Sequence, residues 1–291
     1  MTLSRRRFLT ISAGFALAPL GASAQTWQVR AFGADVTLTI RGASEPAKAA
    51  LTEALRVIRH VESLFSLYDH TSALSQLNAK GKLLKPAPQF LDLMHAANDA
   101  YAITAGLFDP TVQPLWTALA SGVDPKVALD AVGWERVQFD TNEIRLGKGQ
   151  ALTLNGIAQG FVTDLVTDVL SAHGLENALV NIGGYRSLGG SWRRALSDPN
   201  HGDLGVRTLR GSAIATYSPA ATPLGTNGHI LHQSALPKWS SVSVEASSAT
   251  LADSLSTAMV LASREEIEAM REQVAFSRIT LVDQSGDLIT L

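Results

Sequence analysis

The sequence predicts an α+β fold, mixed antiparallel sheets with packed helices, and three observations carry it. Apolar residues recur at helical spacing over 44–65. Val36, Leu38 and Ile40 alternate with polar neighbours, as a half-buried strand requires. Strands and helices then follow one another without the regular βαβ alternation of a doubly wound sheet.

Taken in order, the first helix can be capped by Ser44, and its Leu51, Leu55, Ile58, Val61 and Phe65 share one face. Pro88 suits the first turn of a second helix that runs through Tyr101, with Gly106 just past its end. Short strands are predicted at 137–139, 144–146 and 151–154. A helix over 157–172 stops at Gly174, and the apolar stretch 178–182 forms a strand running into Gly183-Gly184. The last third reads as a strand at 242–245, a helix over 249–261 and a second helix from Glu265. A hairpin, 279–282 with 288–290, closes the chain around Asp283-Gln284-Ser285-Gly286-Asp287.

With 291 residues, 46% hydrophobic and 17% charged, the chain can bury one large core or two modest ones, and is neither disordered, collagenous nor coiled coil. No internal repeat or low-complexity linker marks a boundary, so residues 25–291 read as one domain. The formal net charge of −2 gives no basic stripe for a nucleic-acid partner. Cysteine is absent, which excludes disulfides, thiolate nucleophiles and cysteine-ligated metals.

Residues 1–24 read as an export address. Arg5-Arg6-Arg7-Phe8-Leu9 precedes an apolar run over 11–20, too short to span a bilayer, and Ala22-Ser23-Ala24 supplies a small-x-small cleavage pattern. The paired arginines favour the twin-arginine type over an ordinary secretory signal. The expectation is a periplasmic protein without a transmembrane anchor.

Four segments are hard to explain as packing. In Gly106-Leu107-Phe108-Asp109-Pro110-Thr111, proline pins the backbone after a carboxylate at a loop tip, though a capped turn reads equally well. In Asn155-Gly156-Ile157-Ala158-Gln159-Gly160, a strand passes into a helix through two glycines. Free N–H groups there suit phosphate, but the spacing is neither a Walker A loop nor a dinucleotide fingerprint. Asn181-Ile182-Gly183-Gly184 places glycines at a strand end. In Ala252-Asp253-Ser254-Leu255-Ser256-Thr257, Asp253 and Thr257 stand at i and i+4, so a carboxylate and a hydroxyl can meet a hard cation such as Mg²⁺. Histidine spacing supports no zinc site. His229 falls in a glycine- and proline-punctuated loop, where an exposed acid–base group is expected.

In this order the segments resemble the FAD:protein FMN transferases, the ApbE family. Ala31-Phe32-Gly33, Phe65-Ser66-Leu67-Tyr68 and His229-Ile230 join them, so the resemblance spans nearly all of residues 25–291. It implies a T-fold-like architecture and Mg²⁺-dependent transfer of FMN from FAD to a threonine or serine of an acceptor redox protein, with AMP released. It also implies FAD contacts at Phe32, Tyr68, Leu107, Phe108, Asp109, Gln159 and Ile230, metal contacts at Ala158 (carbonyl), Asp253 and Thr257, and a base at His229. The chain departs from the family at Gln159, often lysine, at Tyr185, often an acid, and at His232-Gln233, usually Asp-Pro. The alternative is a protein that binds or hydrolyses FAD without transfer.

Overall fold

The computed structural model describes residues 24–291 except 33, 43 and 225–227. Residues 1–23, nearly all of the predicted export address, and Gly33 lie outside the described residues, and so does the side chain of Ser44. In chain order the strands and helices are β1 (Ala24–Ala31), β2 (Ala34–Arg41), α1 (Ser44–Phe65), α2 (Ala73–Lys80), β3 (Lys82–Leu84), α3 (Pro88–Ile103), α4 (Gln113–Ser121) and α5 (Lys126–Leu129). There follow β4 (Gln138–Phe139), β5 (Glu143–Arg145), α6 (Ala158–Ala172), β6 (Ala178–Asn181), β7 (Tyr185–Leu188), β8 (Trp192–Asp198), β9 (Gly202–Leu209) and β10 (Ala213–Tyr217). The chain closes with β11 (Ser241–Ala246), α7 (Ala249–Met259), α8 (Arg264–Gln273), β12 (Arg278–Val282) and β13 (Leu288–Thr290).

Eight strands form one sheet in the order β1-β2-β6-β7-β10-β11-β12-β13, every pair antiparallel. The α+β expectation holds. Most predicted elements are present within a residue or two. The helix predicted to run to 261 ends at Met259, where a turn takes over. The strand predicted at 151–154 is absent. Its backbone is bonded by a side chain instead: Asn78 Oδ1 accepts from the Leu152 N–H at 2.7 Å, and Asn78 Nδ2 donates to the Leu152 carbonyl at 2.8 Å. An amide group does there what a neighbouring strand would do.

Two cores result. The larger joins β2, β6, α1, α3 and α6 around Phe90, Ile58, Met94 and Val166. The second joins β11, β12, α7 and α8 around Val244, Leu255, Met259 and Ile267. Leu107 packs against both, which places the 106–111 loop at their seam.

Candidate functional site

A cavity of about 330 Å³ opens at this seam. Leu107, Phe108 and Asp109 line one side, Gln159 and Ala158 the start of α6, and His229 and Ile230 the opposing loop. Phe32 and Tyr68 complete the wall, and Tyr68 is 61% exposed at the rim. Every predicted flavin contact thus lines one cavity. Phe32 takes a left-handed φ of 52°, costly for an aromatic residue, and its N–H donates to Glu62 Oε1 at 2.8 Å, which helps to hold it there.

Asp109 is half-buried rather than at an exposed tip. Its Oδ1 accepts from Thr111 N–H (2.7 Å) and Thr111 Oγ1 (2.6 Å), starting a single 3-10 turn with Pro110 in first position. Burial raises its carboxyl above the usual range, against the pull of those two bonds. It is a turn cap and a cavity wall at once.

The two glycines of 156–160 serve packing more than ligand approach. A Cβ on Gly160 would collide with the Ala249 carbonyl, so only glycine lets α6 and α7 cross this closely. Its N–H is not free for phosphate, because it donates to Asp253 Oδ2 at 2.8 Å. A Cβ on Gly156 would crowd Thr257 at 3.0 Å. Gly183 (φ 83°) leaves room for the Gln159 amide, which lies where its Cβ would stand.

Asp253 does not line the cavity; it lies beneath it, 3% exposed, while Thr257 reaches the surface of the cavity. Burial pushes the Asp253 carboxyl up to about 7, and none of the ion pairs among the described residues includes it. Thr257 Oγ1 donates to the carbonyls of Asp253 (2.9 Å) and Gly156 (3.3 Å). One carboxylate lacking a cation, a hydroxyl and backbone carbonyls form an all-oxygen donor set, which fits Mg²⁺ and not a soft metal. Among the described residues no three His, Asp or Glu side chains gather as a metal cage. Any hard cation here would need further oxygens from a ligand or water.

His229 is half-buried, not exposed. Its Nδ1 lies 3.3 Å from the Pro219 carbonyl, which can only accept, so Nδ1 carries the hydrogen and a neutral ring keeps its lone pair on Nε2. Burial lowers its pKa, while the Pro219 and Thr222 carbonyls pull it the other way. His232 orders the same loop, accepting at Nδ1 from Ser234 N–H (3.2 Å) and Ala235 N–H (2.9 Å), the capping task of an acidic residue. Tyr185 is not among the residues lining the cavity. It packs under the guanidinium of Arg194, 5.0 Å from the ring centre.

Three aromatic wall residues were not foreseen as such: Phe65 at the end of α1 and two more. Trp116 lies on α4, and Tyr217, at the end of β10, donates its hydroxyl to the Asn155 carbonyl at 3.1 Å. Burial, then nearby Asp253, holds the Tyr217 hydroxyl well above the ordinary tyrosine range. Ala213, Ile214 and Ala215 are buried in succession on β10, so no apolar–polar alternation in the sequence marks Tyr217. On the other side of α4 lies a wider groove of about 850 Å³ with Lys80, Lys82, Arg145 and Lys148 in its walls; it holds none of the predicted site residues.

The sequence matches the model of the ApbE family over residues 32–279. It is 27% identical over 185 residues to a Vibrio cholerae FAD:protein FMN transferase, covering 56% of this chain and 55% of that protein. A Treponema pallidum protein of the same description is 29% identical over 192 residues, covering 56% and 52%. The chain thus spans about half the length of the curated relatives it matches. Among solved structures, the flavin transferase ApbE of Vibrio cholerae superposes with a TM-score of 0.79 at 22% identity, over 93% of this chain and 97% of that one. The ApbE protein of Thermotoga maritima gives 0.80 at 23% identity, over 92% and 96%. These likenesses establish the fold.

Proposed function

The chain belongs to the ApbE family, and on that ground we propose that it moves the FMN half of FAD onto a serine or threonine hydroxyl of an acceptor redox protein and releases AMP. The observation that carries the reading is convergence: residues scattered from Phe32 to Ile230 line one cavity, with Thr257 at its surface and Asp253 buried beneath it. In the step proposed, the acceptor oxygen bonds to the FMN phosphorus, the pyrophosphate P–O bond breaks, and AMP leaves with the bridging oxygen. The hydroxyl proton passes to Nε2 of His229, which is neutral at pH 7 because burial lowers its pKa. Phe32, Tyr68, Leu107, Phe108 and Ile230 offer apolar surface to the flavin, and Asp109 and Gln159 offer polar atoms.

Asp253, Thr257 and the Ala158 carbonyl would hold Mg²⁺, which when bound supplies positive charge against the pyrophosphate. Asp253 contributes the only side-chain charge to that set, so most of the electrostatic hold on the metal rests on it. Export to the periplasm by residues 1–24 is part of the same proposal, and would put acceptor and transferase in one compartment.

The test is incubation of the mature protein, residues 25–291, with FAD, Mg²⁺ and a candidate acceptor. Flavin-labelled acceptor with stoichiometric AMP supports transfer. AMP with free FMN and unlabelled acceptor assigns hydrolysis instead, and no AMP at all defeats both.

A further inference from the structure

Asp164, on α6, is absent from the cavity wall yet accepts five hydrogen bonds. Oδ1 takes Arg186 Nη1 of β7 at 2.6 Å and the Ala249 N–H at 2.8 Å. Oδ2 takes Ser248 Oγ at 3.0 Å, the Thr250 N–H at 2.9 Å and Thr250 Oγ1 at 2.6 Å. Four of the five come from the first turn of α7 and its N-cap. That helix already has a cap of its own, since Ser248 Oγ accepts from the Leu251 N–H at 3.1 Å. One cap suffices to start a helix. A second carboxylate, reaching in from another helix, fixes where α7 sits rather than whether it forms.

We infer that Asp164 is a positioning residue for the metal-binding helix: it sets the register of α7 against α6 and thereby brings Thr257 to the cavity surface and Asp253 beneath it. This rests on the proposed roles of those two residues. The geometry gives α7 two attachments to α6, the Asp164 bonds at its first turn and the Gly160 to Asp253 bond one turn later. Together they fix both rotation and position along the axis. Arg186 extends the same carboxylate to β7, which begins just after Gly183 of the cavity wall. Three elements, α6, α7 and β7, are thus tied at one side chain. Its anionic charge also suits the positive end of the α7 dipole, which an amide would match less well.

The experiment is calorimetric titration of Mg²⁺ into the FAD-bound protein, for wild type, Asp164→Ala, Asp164→Asn and Leu209→Ala. The last is a destabilised control in the remote packing of β8 and β9. Asp164→Ala is expected to weaken Mg²⁺ binding about 10–100-fold, as loss of a residue supporting metal ligands typically does. FAD affinity in EDTA should stay within about twofold, Asp164→Asn should fall between, and hydrogen exchange should quicken at the first turn of α7. Unchanged Mg²⁺ affinity in folded Asp164→Ala, or an equal loss in Leu209→Ala, overturns the inference. If wild type itself binds no Mg²⁺, the metal reading falls first and this inference falls with it.

Discussion

The Asp253 carboxylate and the Gly160 N–H meet at 2.8 Å across 93 residues of sequence, and that bond joins the two helices that frame the cavity floor. The bond exists because residue 160 has no side chain. A carboxylate buried this deeply, with its pKa near 7, is held in place before any cation arrives.

Gly160→Ala should therefore destabilise the fold without touching the cavity wall. Forcing one methyl against the Ala249 carbonyl should cost about 1–3 kcal/mol. Urea denaturation with an unchanged midpoint would show that the helices can part freely.

Asp253→Ala should abolish Mg²⁺-dependent turnover, since the metal would lose its only charged protein ligand. Thr257→Ala should weaken it less, because a hydroxyl contributes no net charge. Mg²⁺ titrations of the FAD reaction check both, and wild-type rate in Asp253→Ala with unchanged Mg²⁺ dependence removes the site.

His229→Ala should slow FMN transfer by about 10²–10⁴-fold while FAD binding changes little. Because burial lowers the His229 pKa, the ring sheds its proton below the ordinary histidine range. The wild-type rate should accordingly rise with pH on the acid side, with its midpoint below the ordinary histidine value of about 6.5. The variant should lose that limb. A pH–rate profile with the same limb in both proteins assigns the titration elsewhere.

Asp109 can be separated into its two roles. Asp109→Asn keeps an oxygen for the Thr111 turn and removes the charge, so stability should hold while FAD binding weakens by about 1–3 kcal/mol if a ligand donor is left unpaired. Asp109→Ala should also lose about 1 kcal/mol of stability with the cap. Calorimetry showing wild-type FAD affinity for Asp109→Asn leaves the residue as a turn cap alone.

Replacing Arg5 and Arg6 by lysine should leave unprocessed precursor in the cytoplasm. Fractionation that finds the double variant in the periplasm at wild-type level removes the twin-arginine reading.

The α1 stripe was legible because its apolar residues keep period, and the closing hairpin because its turn carries the expected capping oxygen: Asp283 Oδ1 accepts from the N–H of both Ser285 and Asp287. The 185–217 region was not. On β8 the inward positions are Trp192, Arg194, Leu196 and Asp198, so buried charges break the apolar alternation that marks a strand. The site segments were visible as motifs, but Gly160 reads the same whether a ligand or a helix comes close. Only the crossing of α6 and α7 decides that. Asp164 gave no signal either, since its five donors are brought to it by the fold.

The order of strands in the large sheet also governs how the chain is made. Strand β2 has β1 on one side and β6 on the other, with Thr37 opposite Asn181. Between Arg41 and Ala178 the ribosome must work for on the order of 10 s, and throughout that time the β6-facing edge of β2 has no native partner. Val36, Leu38 and Ile40 sit on that strand, an apolar row beside open backbone hydrogen-bonding groups. Nascent chains halted before residue 178 are therefore the species from which aggregation should start, and folding should be slow for a protein of this helical content because its β2–β6 pairing is non-local.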